Sequence, residues 1–141
     1  MKTLHIMRGL PGSGKTHHAH CILATIHTKK FGTAICSADH FMLDNRGGYK
    51  FDPSKLGEAH AKCQISVMNG MLSDVDCIIL DNTNTKNWEY MVYEKLAAIY
   101  GYEVEIHDLY DGGLTDEELE KRNQHGVPRE KICQMRHGYE C

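Results

Sequence analysis

Hydrophobic runs are short throughout this 141-residue chain, and none approaches the roughly eighteen apolar residues that a membrane helix needs. The N-terminal segment MKTLHIMR is too short and too charged at its end for a secretory signal. Internal repeats and low-complexity linkers are absent as well. Because 41% of the residues are apolar and 25% are charged, the composition excludes a fibre or a disordered tail. We therefore expect a single domain over residues 1–141, in the cytoplasm and without membrane contact.

Paired cysteine motifs are also missing. The chain has six cysteines, and no two of them form a C-x-x-C pair. Cys36 and Cys77 lie inside apolar segments that are typical of buried strands. This pattern favours buried free thiols in a reducing compartment over a disulfide framework.

Excess positive charge is absent, since the formal net charge is −3 with neutral histidines. This argues against a surface that coats nucleic acid broadly. The charge is nevertheless unevenly distributed: residues 1–50 hold seven Lys and Arg against two Asp, and residues 51–141 hold nine Lys and Arg against seventeen Asp and Glu. The N-terminal third can therefore hold phosphates locally while the rest of the chain stays acidic.

Strand-like and helix-like segments alternate along the chain, which is typical of a layered α/β fold with a parallel sheet. We predict strands over residues 3–8, 33–36, 77–80 and 102–109. Helices are predicted to begin near Lys15, Pro53, Asn87, Thr115 and Pro128. Apolar spacing predicts that the first helix faces inward with Ala19, Ile22, Leu23 and Ile26, and the third with Trp88, Val92, Leu96 and Ile99.

A glycine-rich segment, GLPGSGKT over residues 9–16, follows the first strand and matches the pattern G-x-x-x-x-G-K-[ST]. Its glycines let backbone N–H groups turn toward phosphate oxygens, and the following helix points its positive end at the same phosphates. Lys15 supplies a mobile charge, and the Thr16 hydroxyl supplies a magnesium ligand. We predict that ATP is bound by Gly9, Pro11, Gly12, Ser13, Gly14, Lys15 and Thr16.

Motors, GTP switches, kinases and passive nucleotide binders share this loop. The chain is shorter than a typical motor domain, and its C-terminal half lacks the N-K-x-D guanine signature. A kinase is therefore the leading prediction. The expected fold is a P-loop kinase-like three-layer sandwich with a parallel sheet of four to five strands and a short helical lid.

A kinase needs a carboxylate that accepts the proton of the acceptor hydroxyl near the γ-phosphate. Asp39 follows the second predicted strand, and Asp81 closes the third. Both are expected to reach the cleft, because working residues of a parallel sheet lie at the carboxyl ends of its strands. We predict Asp39 as the general base, and Asp81 with Thr16 as the ligands of Mg²⁺.

Positive charge over the transferring phosphoryl group is the other requirement. Arg122 lies in a short helix that the Thr115–Glu118 capping box opens. We predict that this segment, about residues 112–127, forms a lid and that Arg122 contacts the transferred phosphate. Arg129 and Arg136 are weaker candidates for the same role.

Five segments carry a family resemblance: GLPGSGKT, SADHF, LDNTNT, YGYEVE and KRNQHGVPREKI. In this order they resemble polynucleotide kinases of the bacteriophage type, within the P-loop kinase-like (AAA-type ATP-binding) family, over nearly the whole chain. The resemblance implies transfer of the ATP γ-phosphate to the 5′-hydroxyl of DNA or RNA. It implies the same roles for Asp39, Lys15, Thr16, Asp81 and Arg122. Met42 and Gly126 depart from the pattern, because both stand where the family has arginines.

The loop after Asp39 offers candidate acceptor contacts. Arg46 or Lys50 can replace the arginine that is missing at residue 42. Tyr49 and Phe51 flank Lys50, as expected where a single-stranded end stacks on aromatic rings. We predict acceptor contacts from Asp39, Arg46, Tyr49, Phe51 and Asn84. The acceptor classes that remain open are DNA, RNA, a small alcohol, a nucleoside and a modified base, and a non-catalytic ATP-binding module is the remaining alternative.

Overall fold

A computed structural model describes residues 2–25 and 32–141. Within these residues, four parallel strands form one sheet in the order β2-β3-β1-β4. The strands are β1 (Thr3–Arg8), β2 (Thr33–Cys36), β3 (Cys77–Asp81) and β4 (Glu103–Asp108). The predicted parallel sheet of four to five strands is confirmed.

The two central strands explain the apolar runs of the sequence. Every residue of β3 is buried, and Ile6 of β1 pairs with Leu80 on one side and with Ile106 on the other. A strand that is covered on both faces needs a continuous apolar run, because its alternating side chains all enter the core. The predicted burial of Cys36 and Cys77 is confirmed.

Helices cover both faces of the sheet. They are α1 (Lys15–Thr25), α2 (Leu56–Leu72), α3 (Asn87–Tyr100), α4 (Asp116–Arg122) and α5 (Arg129–His137). Helices α2 and α3 share one buried cluster with Leu4 and Ile6, and α1 shares another with Met7 and Ile79. The predicted three-layer arrangement is therefore confirmed. Ile26, predicted on the inward face of α1, lies outside the described residues.

The inward face of α3 agrees with the prediction at Val92 and Leu96, which pack half-buried against the main core, and differs at Trp88 and Ile99. Trp88 and Ile99 are each 72% exposed. The buried positions of α3 are Tyr90, Tyr93 and Ala97. The ring of Tyr90 packs on the guanidinium of Arg8 at 4.9 Å, and this contact turns the helix so that its tyrosines face the sheet. Counting aliphatic spacing alone missed this, because tyrosine has a large apolar ring that can be buried.

The C-terminal helices build a small core of their own beside the glycine-rich loop. Leu10 of that loop, Leu119 of α4 and Ile132 of α5 are fully buried together. The predicted capping box is present, since Glu118 N donates to Thr115 Oγ1 at 3.3 Å and Thr115 N donates to Glu118 Oε1 at 3.2 Å. Helix α4 is thus fastened to the loop by burial. No helix within the described residues is both long and apolar enough to cross a membrane.

Candidate functional site

The glycine-rich loop joins β1 to α1 and is held from several sides. Leu10 N donates to Tyr110 O at 2.8 Å, and Ser13 N donates to Leu10 O at 3.0 Å. Gly12 has φ +82°, and a Cβ there would collide with the carbonyl oxygen of Leu119 in α4. Because Gly12 has no side chain, α4 can lie directly against the loop. The loop and the segment predicted as a lid therefore form one packed unit.

Thr16 and Asp81, the two predicted magnesium ligands, lie together. Thr16 Oγ1 donates to Asp81 Oδ2 at 2.8 Å. Asp81 is 7% exposed, and its other oxygen, Oδ1, is buried without a hydrogen-bond partner among the described residues. An unsatisfied buried carboxylate oxygen beside a hydroxyl is a donor set that fits a small oxygen-preferring cation.

Two of the cations predicted to bind phosphate have no side-chain partner among the described residues. Within residues 2–25 and 32–141, neither Lys15 nor Arg122 makes a side-chain hydrogen bond or an ion pair. The weaker candidates are engaged elsewhere. Arg129 pairs with two glutamates of α4, and Arg136 donates to Asp111 Oδ2 at 2.6 Å and to Asp116 Oδ1 at 2.8 Å. Arg122 is consequently the arginine of the predicted lid that is available to a ligand.

Asp39 lies in a short 3₁₀ turn, Ala38–Phe41, at the carboxyl end of β2. Ser37 Oγ accepts from Asp39 N at 3.2 Å, and Asn82 Oδ1 accepts from Ala38 N at 2.9 Å. These bonds fix the backbone of the turn to the segment after β3. The Asp39 side chain remains 42% exposed, so a substrate can reach its carboxylate.

Two side chains from distant parts of the chain approach the Asp39 carboxylate. The Tyr49 hydroxyl donates to Oδ1 at 3.5 Å, and His125 Nε2 lies 3.4 Å from Oδ2. The Tyr49 and His125 rings also contact each other, with centroids 4.3 Å apart. Burial, followed by the charge of Asp39 and the hydrogen bond to it, raises the pKa of Tyr49 to about 12. Tyr49 is therefore a protonated donor throughout the neutral range.

Sequence reasoning missed His125, although a local signal was present. Asn123 ends α4, and its side-chain amide donates to Val127 O at 3.1 Å and accepts from Val127 N at 2.9 Å. This pair of bonds closes the loop of residues 123–127, which turns at Gly126 with φ +70°. An asparagine and a glycine that bracket a histidine indicate a fixed turn presenting that side chain.

The loop that carries Tyr49 folds as a hairpin. Leu43 and Tyr49 form an antiparallel bridge, and Asp44 Oδ1 accepts from the backbone N–H of Arg46 and of Gly48 at 2.8 Å each. A cavity of about 340 Å³ lies along the hairpin. Its lining includes three cations, Arg46, Lys50 and Lys55. Phe51, at 51% exposure, offers an open ring beside it.

Two further residues that the sequence analysis singled out, Asn84 and Met42, are buried. Asn84 is 2% exposed, and its amide donates to Met7 O at 2.8 Å. The acceptor contact from Asn84 stays a prediction, and the structure places this side chain in a buried position against the end of β1. Met42, which stands where the resembled family has an arginine, is 1% exposed in the main core. The apolar residue at that position is thus explained by packing.

A family model described as an AAA domain matches residues 4–140. Human NEDD4-binding protein 2 is 36% identical over 138 residues, which is 97% of this chain and 8% of that protein. Mouse 2′,3′-cyclic-nucleotide 3′-phosphodiesterase is 29% identical over 143 positions, which cover 99% of this chain and 31% of that protein. The chain therefore spans less than a third of the length of either relative.

Solved structures share the fold. A chain of the Pnkp1/Rnl/Hen1 RNA repair complex superposes with a TM-score of 0.72 at 21% identity, covering 97% of this chain and 43% of that one. Kti12 of Chaetomium thermophilum, solved with ADP-AlF3, gives a TM-score of 0.72 at 20% identity, covering 98% and 80%. The APS kinase CysC of Mycobacterium tuberculosis gives 0.58 at 12% identity, covering 95% and 96%. The described residues thus have a P-loop kinase-like fold.

Proposed function

The chain belongs to the AAA domain family, whose model spans residues 4–140, and on that premise we propose that it is an ATP- and Mg²⁺-dependent kinase. The proposed acceptor is a hydroxyl group, and the 5′-hydroxyl of a polynucleotide fits the cleft best. The observation that carries this proposal is the accessible Asp39 carboxylate, held between Tyr49 and His125. A passive nucleotide binder has no need of such a carboxylate, whereas a kinase requires one.

The donor side of the cleft would bind the triphosphate. Backbone N–H groups of residues 9–14 and the N-terminus of α1 provide donors for phosphate oxygens. The uncommitted ammonium of Lys15 adds a positive charge there. Thr16 and Asp81 would hold Mg²⁺, which neutralises phosphate charge when it is bound. These residues bind and orient the donor without changing covalently.

The acceptor side would supply the proton transfer. The acceptor O–H loses its proton to an Asp39 carboxylate oxygen as its oxygen forms a bond to the γ-phosphorus. The bond between the γ-phosphorus and the oxygen bridging it to the β-phosphate breaks, and ADP leaves with that electron pair. Arg122, exposed and unpaired among the described residues, would balance the charge that develops on the transferred group.

Three features favour a polynucleotide acceptor over a small alcohol. The cavity along the hairpin that contacts Asp39 through Tyr49 is lined by Arg46, Lys50 and Lys55, which suit the phosphates that follow a 5′-terminal nucleoside. Tyr49 and Phe51 offer rings on which bases can stack. Among the similar proteins are a 2′,3′-cyclic-nucleotide 3′-phosphodiesterase and a component of an RNA repair complex, and this supports the same substrate class.

The decisive experiment is transfer of labelled γ-phosphate from ATP in the presence of Mg²⁺. The acceptors are 5′-hydroxyl oligonucleotides of DNA and of RNA, a nucleoside and a panel of small alcohols. We expect label on an oligonucleotide 5′ end. Asp39→Asn should reduce the rate by about a hundred- to ten-thousand-fold, because the amide cannot accept the proton.

Asp74→Asn is the matched control, since Asp74 is an exposed residue with φ 56°, a conformation that asparagine tolerates well. It should leave the rate unchanged. Label on a small acceptor alone would move the assignment to a kinase for that alcohol. ATP binding with no transfer to any acceptor would replace the kinase by a nucleotide-binding module. Unchanged turnover in Asp39→Asn would refute the role of Asp39.

A further inference from the structure

A second cluster of titratable side chains lies on the sheet, and the kinase proposal does not use it. His5 of β1 and Glu105 and His107 of β4 each place one ligand atom so that all three atoms lie within 4.8 Å of one another. We propose that His5, Glu105 and His107 form a binding site for a divalent transition-metal ion of the zinc class.

Strand register brings the three residues together. In the parallel pairing of β1 with β4, His5 lies opposite Glu105, and Met7 lies opposite His107. Side chains of a strand alternate between the two faces of the sheet, so His5, Glu105 and His107 share a face with Met7. Met7 packs with Ala19 of α1, which identifies this face as the one that α1 covers. The site is therefore built on two hydrogen-bonded strands of the sheet.

The distances between the ligand atoms suit a tetrahedral ion. His5 Nδ1 lies 3.0 Å from His107 Nε2 and 3.3 Å from Glu105 Oε2, and the last two atoms are 3.8 Å apart. A Zn²⁺ ion with bonds of about 2.0–2.2 Å holds its tetrahedral ligands roughly 3.3–3.6 Å apart. The observed distances bracket this range, so small side-chain rotations are enough to seat the ion.

The chemistry of the donors points the same way. Two imidazole nitrogens and one carboxylate oxygen lie within 3.8 Å of one another, and a single shared proton can join only two of them. A cation can satisfy all three. Nitrogen and carboxylate donors together suit zinc better than magnesium, which prefers oxygen alone.

His18 of α1 has the position of an orienting residue. Its Nε2 lies 3.4 Å from His107 Nδ1, the ring nitrogen that faces away from the proposed ion. A histidine that binds a metal through one nitrogen usually donates from the other to a fixed acceptor. His18 thus fixes the tautomer of His107 and connects α1 to the site. Glu105 is exposed, its side chain at 59%, so the remaining coordination position is open to water.

Two other pairs of side chains could compete with the proposed site for a metal ion. His17 and Cys21 of α1 lie 3.6 Å apart through Nε2 and Sγ, and His137 and Cys133 of α5 lie 3.6 Å apart through Nδ1 and Sγ. Each pair offers two ligands and contains a thiol. A cation at either pair therefore has a sulfur ligand, and one at the proposed site has none.

The test is a metal titration of the whole chain. Protein stripped with a chelator is titrated with Co²⁺ in excess Mg²⁺, which keeps the Thr16–Asp81 site filled, and Co²⁺ is then displaced with Zn²⁺. We expect one equivalent, the visible absorption of tetrahedral cobalt, no thiolate-to-cobalt charge-transfer band, and a rise of the wild-type Tm with Zn²⁺. His18→Ala should weaken binding by about 10–100-fold, and Glu105→Gln by more than that.

Glu103→Gln is the matched control, because Glu103 is an exposed glutamate two residues away on β4. It should bind the metal as the wild type does. Far-UV circular dichroism without metal shows whether each variant is folded, and Glu105→Gln keeps the proposal testable if His18→Ala does not fold. Equal affinity of Glu105→Gln and wild type would overturn the proposal. So would a thiolate band that disappears in Cys21→Ser or Cys133→Ser, which would show an adventitious ion only.

Discussion

His125 is the residue whose substitution best separates acceptor chemistry from ATP binding. Its imidazole contacts Asp39 and Tyr49 and arises from the loop that Asn123 closes. Removing it frees the Asp39 carboxylate to rotate away from the acceptor. We expect His125→Ala to lower kcat by about 10- to 100-fold, the usual cost of misplacing a reacting group. Steady-state phosphate transfer, measured over a range of ATP concentrations, tests this.

The same assay separates an effect on kcat from an effect on ATP binding. The KM for ATP should change little, because the ion pair and the ring contact of His125 in the described part of the chain go to Asp39 and Tyr49 and not to the loop 9–16. His125→Gln retains a nitrogen donor and should recover part of the lost kcat. His20→Ala is the control, since His20 is an exposed histidine of α1. A normal kcat in His125→Ala, or a loss confined to the KM for ATP, would contradict a role at Asp39.

The positions of single candidate residues were predictable where a local rule places them. Thr16 is the last residue of a motif, and Asp39 and Asp81 follow strands whose carboxyl ends share one edge of the sheet. The contact of Asp39 with His125 depends on a tertiary fold that joins residues 86 positions apart, so no local pattern contains it. Asn84 shares the strand-end position but is buried, since its amide satisfies Met7 O at 2.8 Å.

At the scale of elements, Arg8 links the end of β1 to the segment after β3, to β4 and to the C-terminal segment. The residue is 2% exposed, and its guanidinium donates to Asn84 O at 2.8 Å, to Thr85 O at 3.3 Å and to Glu140 O. It also forms an ion pair with Asp108 at 3.1 Å. We expect Arg8→Leu to lower the free energy of unfolding by about 2–4 kcal/mol, because several buried acceptors lose their donor. Urea unfolding measures this.

Arg129 provides the comparison for that measurement. It also forms ion pairs, with Glu117 and Glu120, but its side chain is 51% exposed. Solvent screens such pairs, so Arg129→Leu should cost less than about 1 kcal/mol. Similar losses for the two variants would mean that burial of the Arg8 guanidinium does not set its contribution.

Arg8 also shows why the elements were predicted better than their orientation. The apolar runs, and the glycines between them, were enough to place all four described strands and the start of α3 to within a residue. The rotation of α3 about its axis was not predicted, because it follows from Tyr90 packing on Arg8, and the guanidinium itself is positioned by β4 and the C-terminal segment. Periodicity within one helix carries no information about a partner that is distant in sequence.

At the scale of the whole molecule, the structure shows where part of the unevenly distributed charge of the sequence lies. The three cations of the cavity, Arg46, Lys50 and Lys55, lie next to the hairpin that contacts Asp39. The two carboxylates that line the same cavity, Asp44 and Asp52, accept hydrogen bonds from backbone N–H groups. The cations are therefore the groups left to meet the proposed polynucleotide acceptor, on a chain whose net charge of −3 would repel nucleic acid elsewhere.

This arrangement predicts that oligonucleotide binding depends weakly on salt, with a slope set by the number of cations. Single-stranded binding loses about 0.7 in the slope of log K against log salt for each phosphate neutralised, so three cations give a slope of about −2 for a 5′-hydroxyl oligonucleotide. Arg46→Ala should bring the slope about 0.7 closer to zero, and Lys95→Ala, which removes an exposed lysine on α3, should leave it unchanged. Fluorescence anisotropy across a salt series measures both. Binding that does not respond to salt, together with equal turnover of a free nucleoside, would mean that the cavity receives a small acceptor.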